Sequence, residues 1–197
     1  MKKTNKAIFL DRDGVINDLV FYSEDGVLDS PNSVKDFKII PNTIKSLKKL
    51  KKLGFYLILI SNQPGIAKKK YDLKEFNKIK TKMETIFAKY DIVLDAQYYC
   101  LHHPHAINKL YKKNCSCRKP KAKMFHDGIK KFDIDVKKSY VIGDGLVDMK
   151  LAKSVKCKSI FIGNVNSTIS KIFQQEKILP FYIAHDLDEA VDYIQTI

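Results

Sequence analysis

One short stretch constrains the fold of this chain more than any other. The apolar run at residues 7–10 ends abruptly in Asp11-Arg12-Asp13-Gly14. Such a run before a polar turn is typical of a buried parallel strand whose carboxyl end opens into a cleft. Because side chains alternate along an extended strand, we expect Asp11 and Asp13 on one side and Arg12 on the other. The stretch therefore predicts paired carboxylates at the edge of a sheet.

The rest of the chain alternates between β-type runs and segments of helical periodicity. The predicted strands are residues 7–10, 55–60, 96–99, 139–142, 159–162 and 181–184. The predicted helices run from Pro41 to Gly54, from Asp72 to Phe87, from Met124 to Lys131, from Leu146 to Ser154 and from Asp186 to Gln195. Asp72, with Glu75 three residues later, resembles a capping box. The alternation predicts an α/β fold, with helices on both faces of a parallel sheet, as a single domain over residues 1–197.

Two stretches interrupt this alternation. Residues 17–40 contain Gly26, Pro31 and several polar side chains, which predicts a long loop or short hairpin that can act as a lid. Residues 101–119 form an insertion that is rich in His, Cys and Lys and has no hydrophobic period. Both are expected as loops attached to the sheet rather than as domains.

The chain is strongly basic. Its 197 residues include 36 Lys and Arg against 22 Asp and Glu, a formal net charge of +14. A charge of this size raises the question of a nucleic-acid partner. However, the lysines are spread along helical segments, and no motif combines basic residues with aromatic ones that stack on bases. We therefore expect no nucleic-acid partner, and instead a basic surface that attracts a small, multiply anionic substrate.

The N-terminus and the cysteines bear on the cellular compartment. Residues 1–6 are basic, but the apolar run that follows is too short for the core of a signal peptide. No stretch approaches the length of a membrane span. Three of the four cysteines lie close together, which in a reducing cytoplasm indicates metal binding more often than disulfides. The sequence predicts a cytoplasmic protein without a membrane partner, and a monomer is expected.

Polar side chains follow two further predicted strands. Ser61 and Asn62 come after the strand at 55–60, and Asp144 and Asp148 come after the strand at 139–142. Because the carboxyl ends of parallel strands share one edge, these side chains are expected to join the two N-terminal aspartates. Carboxylates crowded in one cleft either take raised pKa values or are neutralised by a divalent cation. Oxygen ligands of this kind favour Mg²⁺.

A cleft that holds Mg²⁺ suits a phosphate ester. Lys119 offsets the charge of the phosphate oxygens together with the cation, and the hydroxyl of Ser61 orients them. Asp11 can then attack phosphorus as a nucleophile, while Asp13 protonates the leaving oxygen and later activates water. Taken singly, Ser61 is explained as part of a turn, Lys119 as a surface lysine and Asp144 as a helix cap. Their joint order favours the phosphate site.

A second cluster consists of Cys100 and His102, followed by Cys115 and Cys117. Three thiolates and one imidazole complete the tetrahedral shell of a structural zinc site. His103 and His105 are rival ligands for the imidazole position. The fourth cysteine of the chain precedes a predicted strand and is expected in the core.

The zinc cluster adjoins the candidate phosphate site in the sequence. Arg118 and Lys119 follow Cys117 directly. A metal bound by Cys117 would fix the direction in which these two cations point. The zinc is therefore expected to be structural, without a chemical role in the reaction.

The polar motifs resemble those of the haloacid dehalogenase superfamily of aspartate-nucleophile phosphatases. They are Asp11-Arg12-Asp13-Gly14-Val15-Ile16-Asn17, Ser61-Asn62-Gln63, Cys117-Arg118-Lys119-Pro120 and Gly143-Asp144-Gly145-Leu146-Val147-Asp148-Met149. The resemblance runs over nearly the whole chain and is greatest to the D-glycero-D-manno-heptose 1,7-bisphosphate 7-phosphatases, with the histidinol-phosphate phosphatases next. It implies a Rossmann-like, three-layer fold without a large cap domain.

The resemblance also implies a role for each matched residue. These roles are nucleophile for Asp11, acid and base for Asp13, phosphate binding for Ser61 and Lys119, Mg²⁺ ligation for Asp11, Asp144 and the Asp13 carbonyl, and substrate contact for Asn62 and Arg118. The Cys-Xaa-His pattern of the heptose branch selects His102 as the zinc ligand.

The implied activity is removal of the 7-phosphate from a heptose 1,7-bisphosphate. A phosphatase of histidinol phosphate or of another small phosphorylated metabolite is the first alternative. The cations Arg118 and Lys119 argue against it, because they suit a substrate with a second anionic group. A non-catalytic phosphate-binding module is the other alternative, and the intact set of predicted catalytic and metal-binding carboxylates argues against that one.

Overall fold

Six parallel strands form the main sheet in the computed structural model, which describes residues 4–197. The strands within the described residues are β1 (Lys6–Leu10), β2 (Val20–Tyr22), β3 (Val27–Asp29), β4 (Phe55–Asn62), β5 (Ala96–Cys100), β6 (Tyr140–Gly143), β7 (Lys158–Ile162) and β8 (Tyr182–Ala184). The order across the main sheet is β5-β4-β1-β6-β7-β8. All six predicted strands are present, and the predicted parallel sheet is confirmed.

The first strand lies near the middle of this sheet. On one side β1 pairs with β4, Leu10 opposite Leu59, and on the other with β6, Leu10 opposite Ile142. Residues 7–10 are completely buried. Ile8 and Leu10 belong to one hydrophobic cluster and Ala7 and Phe9 to another, so apolar side chains cover both faces of the strand. A central strand with two covered faces explains the uninterrupted apolar run in the sequence.

The part of the chain that the structure describes also contains six α-helices: α1 (Thr43–Lys52), α2 (Leu73–Ala88), α3 (Lys123–Phe132), α4 (Leu146–Ser154), α5 (Ser167–Gln175) and α6 (Leu187–Gln195). Five of them were predicted, and α5 was missed. Phe173 is the buried residue of α5, and the partly buried Ile169 packs against the same small cluster. The local signal for α5 is Asn166, whose side-chain oxygen accepts a hydrogen bond from the Ile169 N–H at 3.0 Å. No helix in the described part of the chain has the length and apolar character needed to cross a bilayer.

The predicted capping box at α2 is half formed. The Asp72 carboxylate accepts a hydrogen bond from the Glu75 N–H at 2.7 Å. Instead of turning back to Asp72, the Glu75 carboxylate accepts one from the Val34 N–H at 2.8 Å. Glu75 thereby ties the segment after β3 to the first turn of α2.

The interruption at 17–40 contains a short antiparallel hairpin of β2 and β3, in which Tyr22 lies opposite Val27. Asp29, at the end of this hairpin, forms an ion pair with Lys70 in the segment after β4. Of the basic N-terminal segment considered in the sequence analysis, residues 1–3 lie outside the described residues.

Candidate active site

Three carboxylates meet at the carboxyl edge of the sheet. Asp11 follows β1, and Asp144 and Asp148 follow β6, the strand next to it. The Asp11 N–H donates to the Ile142 carbonyl at 2.9 Å, which extends the strand pairing by one residue. One oxygen from each carboxylate lies within 4.8 Å of the others. The expectation that parallel topology brings Asp11 and Asp144 together therefore matches the structure, and Asp148 belongs with them.

Lys119 lies buried against this carboxylate cluster. Its Nζ atom is 2.9 Å from Asp11 Oδ2 and 2.6 Å from Asp148 Oδ1, and the residue is only 2% exposed. Burial lowers the pKa of Lys119, but the two carboxylates outweigh that effect, and the net shift is upward. The side chain is thus a fixed ammonium group beside Asp11, not a surface lysine.

The cluster carries more negative charge than one ammonium group balances. Burial, followed by the charges of Asp11 and Asp148, raises the pKa of Asp144 to about 8. Burial also raises the pKa of Asp148 to about 6, although Lys119 opposes the shift. The Asp148 Oδ2 atom is buried without a hydrogen-bond partner. An unpartnered carboxylate oxygen among crowded carboxylates fits a hard divalent cation.

Glycines make room for these carboxylates. Gly14 has φ +73°, a left-handed conformation that side chains rarely adopt, and a Cβ there would lie 2.1 Å from Asp144 Oδ2. At Gly143 a Cβ would lie 2.3 Å from Asp148 Cγ. Backbone and carboxylate thus approach more closely at both positions than any side chain would allow.

Asp13 has different partners from Asp11. Its Oδ1 accepts hydrogen bonds from Arg12 and, at 2.9 Å, from Asn17, and its Oδ2 accepts one from Gln63 at 2.6 Å. Burial raises the pKa of Asp13, but Arg12 and the hydrogen bonds outweigh it and leave the pKa below its usual value. The prediction that Arg12 faces away from Asp13 is wrong. Strand alternation stops with β1 at Leu10, and in the turn that follows, Arg12 Nη2 lies 3.0 Å from Asp13 Oδ1.

The predicted pairing of Asp11 with Asp13 remains a prediction. Asp11 forms an ion pair with Lys119, whereas the Asp13 carboxylate lies in a buried polar network with Arg12 and Gln63. The Asp13 carboxylate is not part of the metal-compatible group formed by the other aspartates. The predicted Mg²⁺ ligand at this residue was its backbone carbonyl, and that remains a prediction.

The end of β4 supplies further polar groups. The Ser61 hydroxyl is buried and accepts a hydrogen bond from Gln63 Nε2 at 3.0 Å. The sequence analysis gave no role to Gln63 or to Asn17, although both stand inside quoted motifs. Complete burial of two amide side chains next to a predicted acid–base residue is the signal that the structure adds.

Asn62 holds the backbone of Lys119. Its Oδ1 accepts from the Lys119 N–H at 2.9 Å, and its Nδ2 donates to the Lys119 carbonyl at 3.1 Å. The resemblance implied substrate contact for Asn62, but the structure engages both polar atoms of its amide in positioning Lys119. Arg118, the other implied substrate contact, is half-buried and donates to the His102 carbonyl at 3.4 Å.

The second predicted cluster also comes together. Cys117 Sγ lies 3.2 Å from Cys115 Sγ, 3.3 Å from Cys100 Sγ and 3.5 Å from His102 Nδ1. Two thiolates on one tetrahedral zinc, with bonds of about 2.3 Å, are separated by roughly 3.8 Å, so the donor set fits zinc after a small adjustment. The rival ligand His103 lies outside the group and accepts a hydrogen bond from the backbone N–H of His105.

The thiols influence one another strongly. Burial, with hydrogen bonding to Cys117, raises the pKa of Cys100 above its usual range. Burial also raises the pKa of Cys115, but hydrogen bonds from Cys117 and Cys100 prevail and lower it to about 6. Closely packed thiols that share protons in this way are suited to a cation that ionises all of them.

Comparison with known proteins agrees with this geometry. The family model described as "Polynucleotide kinase 3 phosphatase" matches residues 18–171. The D-glycero-beta-D-manno-heptose-1,7-bisphosphate 7-phosphatase of Photorhabdus laumondii is 34% identical over 96% of both chains. The protein of the same name from Haemophilus influenzae is 38% identical over 78% of this chain and 79% of its own.

Solved structures give the same result. The crystal structure of a D,D-heptose 1,7-bisphosphate phosphatase from B. bronchiseptica, complexed with magnesium and phosphate, superposes with a TM-score of 0.77 at 25% identity, covering 98% of this chain and 99% of the other. That of the Burkholderia thailandensis enzyme has a TM-score of 0.65 at 20% identity over 98% and 100% of the two chains, and it supports the fold alone. The chain belongs to the polynucleotide kinase 3 phosphatase family, within the haloacid dehalogenase superfamily of phosphatases.

Proposed function

We propose that this protein is a Mg²⁺-dependent phosphomonoesterase that forms an aspartyl-phosphate on Asp11 and removes the 7-phosphate of D-glycero-D-manno-heptose 1,7-bisphosphate. The observation that carries the proposal is the position of Asp11, between the buried ammonium group of Lys119 and the carboxylates of Asp144 and Asp148. A carboxylate next to a fixed cation and a metal-compatible cluster is suited to attack on a phosphate ester.

The first half-reaction transfers the phosphoryl group to the protein. A carboxylate oxygen of Asp11 bonds to phosphorus as the bond between phosphorus and the ester oxygen breaks. Because its pKa is lowered, Asp13 first takes up a proton from solvent. It then gives that proton to the leaving oxygen, and the dephosphorylated sugar departs as an alcohol. Lys119 and the Ser61 hydroxyl hold the non-bridging oxygens of the phosphate.

The second half-reaction releases phosphate. Asp13, now ionised, takes a proton from a water molecule as the water oxygen bonds to phosphorus. The bond between phosphorus and the Asp11 oxygen breaks, which returns Asp11 to a carboxylate and frees inorganic phosphate.

The carboxylates of Asp11 and Asp144, the backbone carbonyl of Asp13 and, as an addition from the structure, the carboxylate of Asp148 are the candidate Mg²⁺ ligands. Bound there, Mg²⁺ would neutralise charge on the phosphate and offset repulsion between the carboxylates. The support is the unpartnered Asp148 oxygen and the raised pKa of Asp144.

The zinc site is proposed as structural. Cys100, His102, Cys115 and Cys117 form a closed set of four donors with no position left for substrate. Because Cys117 directly precedes Arg118 and Lys119, zinc would fix the start of the segment that carries both cations. Clustered cysteines that form no disulfide are typical of a reducing compartment, which supports a cytoplasmic location.

The proposed substrate is the one named for the relatives, which are heptose bisphosphate phosphatases. These relatives match almost the full length of this chain. Arg118, adjacent to Lys119, is a cation available for the second phosphate of such a substrate. No specific contact favours histidinol phosphate or a polynucleotide end, so both serve as comparisons.

The test is a phosphate-release assay with purified protein in the presence and absence of Mg²⁺. The panel contains both anomers of D-glycero-D-manno-heptose 1,7-bisphosphate, histidinol phosphate and a 3′-phosphorylated oligonucleotide. We expect the highest kcat/KM with a heptose bisphosphate, and no turnover by the Asp11→Asn variant. Equal or faster turnover of another substrate would overturn the substrate assignment, and full activity of Asp11→Asn would overturn the mechanism.

A further inference from the structure

We infer that Gln63 is the positioning residue for Asp13, and that Tyr71 acts through Gln63 to fix which oxygen of Asp13 faces the substrate. The inference rests on the proposed function, in which Asp13 serves as acid and base. In this scheme Gln63 contacts neither the substrate nor the phosphorus, and it acts through Asp13 and Ser61.

The amide of Gln63 uses all of its hydrogen-bonding capacity. Its Nε2 donates to Asp13 Oδ2 at 2.6 Å and to Ser61 Oγ at 3.0 Å. Its Oε1 accepts from Arg12 Nη2 at 2.7 Å and from the Tyr71 hydroxyl at 3.3 Å. An amide has two N–H donors and two lone pairs, so none remains. The arrangement also fixes the direction of the amide, because a flipped one would point its NH₂ group at the Arg12 guanidinium.

The two oxygens of Asp13 are thereby made unequal. Oδ1 accepts from Arg12 Nε at 3.1 Å, from Arg12 Nη2 at 3.0 Å and from Asn17 Nδ2 at 2.9 Å. Oδ2 accepts a hydrogen bond from Gln63 Nε2 at 2.6 Å and a longer one from Arg12 Nη2 at 3.3 Å. Oδ1 has three donors and Oδ2 has two, one of them long, so Oδ2 is the oxygen with more room for a proton. Gln63 holds this oxygen directly.

Gln63 also links Asp13 to the phosphate-binding end of β4. One nitrogen atom joins Asp13 Oδ2 to the Ser61 hydroxyl, which is the predicted contact for the phosphate. The distance between the proton-carrying oxygen and the phosphate is therefore set by a single planar group. Proton transfer depends steeply on such distances, because a misplaced acid does not reach the leaving oxygen in the transition state.

Tyr71 provides the outer support. Its ring packs against Gly65, where a Cβ would lie 2.1 Å from the ring, and its hydroxyl meets Gln63 Oε1. Burial, more than any neighbouring charge, raises the pKa of Tyr71 to about 12, so the hydroxyl keeps its proton and remains a donor. Tyr71 immediately precedes Asp72, the N-cap of α2, which anchors it to a rigid element.

The test uses two esters with different leaving groups. p-Nitrophenolate leaves without a proton, whereas the alkoxide of a sugar needs one, so only the sugar ester depends on Asp13 as an acid. Both depend on Asp13 as a base when the aspartyl-phosphate is hydrolysed. In Gln63→Met we expect kcat for the heptose bisphosphate to fall about 100-fold with KM changed less than threefold. With p-nitrophenyl phosphate we expect a rapid burst of about one p-nitrophenolate per site, followed by slow turnover.

Tyr71→Phe removes one hydrogen bond to Gln63 and leaves Ser61 and Asp13 untouched. We expect the same pattern at smaller size, about a 3–10-fold fall in kcat for the sugar ester. The matched control is Tyr99→Phe. Tyr99 is also buried near Arg12, but its hydroxyl donates to Gln97 at 2.8 Å. The kinetics of the Tyr99→Phe variant should therefore remain those of the wild type.

The outcomes separate this inference from the proposed function. Wild-type protein that hydrolyses neither ester would overturn both. An active wild type with a Gln63→Met variant that is unchanged, or that loses both esters equally with a raised KM and no burst, would overturn the positioning role alone. If Gln63→Met does not fold, as judged by its thermal unfolding, Tyr71→Phe decides, and a Tyr71→Phe variant equal to Tyr99→Phe would overturn the inference.

Discussion

Lys119 Nζ lies 2.9 Å from Asp11 Oδ2, and this contact joins the first strand to the segment that follows the cysteine cluster. Neither group is in open water, since the Lys119 side chain is fully buried and that of Asp11 is 14% exposed. The fold holds the proposed nucleophile and the proposed phosphate-binding cation in contact, so their relative position is set before substrate arrives.

Replacing Lys119 tests this contact. Lys119→Met keeps most of the side-chain volume and leaves the carboxylates of Asp11 and Asp148 without their ammonium partner. We expect kcat/KM to fall about 10²–10³-fold, and the free energy of unfolding without metal to fall by about 3–5 kcal/mol, the usual cost of breaking a buried ion pair. Steady-state kinetics and urea denaturation measure the two effects.

The matched control for this prediction is Lys51→Met. Lys51 pairs with Asp95 at 2.9 Å, but its side chain is 39% exposed. We expect unchanged kinetics and a loss of less than about 1 kcal/mol, as for exposed ion pairs. Equal effects of the two substitutions on stability would contradict the buried role of Lys119.

The pH dependence of stability follows from the raised pKa of Asp144, about 8 in the fold against an ordinary value of 3.8. Between these values the metal-free fold binds more protons than the unfolded chain does, so its stability declines as pH rises. Mg²⁺ removes the repulsion that causes the decline. We expect Mg²⁺ to raise Tm more at pH 8 than at pH 5, as measured by thermal unfolding. The difference should become smaller in Asp144→Asn, where the raised pKa of Asp148, about 6, remains. An equal Mg²⁺ effect at both pH values in the wild type would disprove the assignment.

Gly14 offers a test of the close approach to Asp144. Gly14→Ala forces a Cβ to within 2.1 Å of Asp144 Oδ2 and keeps a strained φ of +73°. Gly26 has φ +63° and nothing within 4 Å of an added Cβ, so Gly26→Ala introduces the backbone strain without a steric clash. We expect a loss of about 1 kcal/mol for Gly26→Ala, and for Gly14→Ala a larger loss together with Mg²⁺ binding weakened at least tenfold by calorimetry. Equal Mg²⁺ affinity in the two variants would be inconsistent with this geometry.

Topology made much of the site predictable. Alternating strands and helices indicate a parallel sheet, and such a sheet brings the ends of β1, β4 and β6 to one edge. The proximity of Asp11 to Asp144 follows from that fact without knowledge of any side-chain torsion. The spacing of the Cys and His residues also predicted that the four side chains lie together, because a tetrahedral set of ligands constrains the chain around it.

The direction of side chains in the turns was not predictable. Arg12 was assigned by strand alternation, but β1 ends at Leu10, and the burial of a guanidinium requires a carboxylate partner, which Asp13 supplies. Substrate contact by Asn62 was implied by the resemblance and remains a prediction. The sequence did not show that its amide also binds the N–H and carbonyl of Lys119. Such choices depend on which polar groups the tertiary structure leaves unpaired.

The cysteine cluster yields the last prediction. Cys115→Ala removes one of four donors, and we expect the bound zinc, measured by atomic absorption, to fall well below one per chain and the yield of folded protein to drop. Because Cys117 directly precedes Arg118 and Lys119, a released loop should raise KM for the sugar phosphate more than it lowers kcat. Cys157→Ala is the control, since Cys157 is buried apart from the cluster, with its thiol 3.3 Å from the Ser139 carbonyl. A zinc-free Cys115→Ala protein with wild-type KM would show that zinc does not position the two cations.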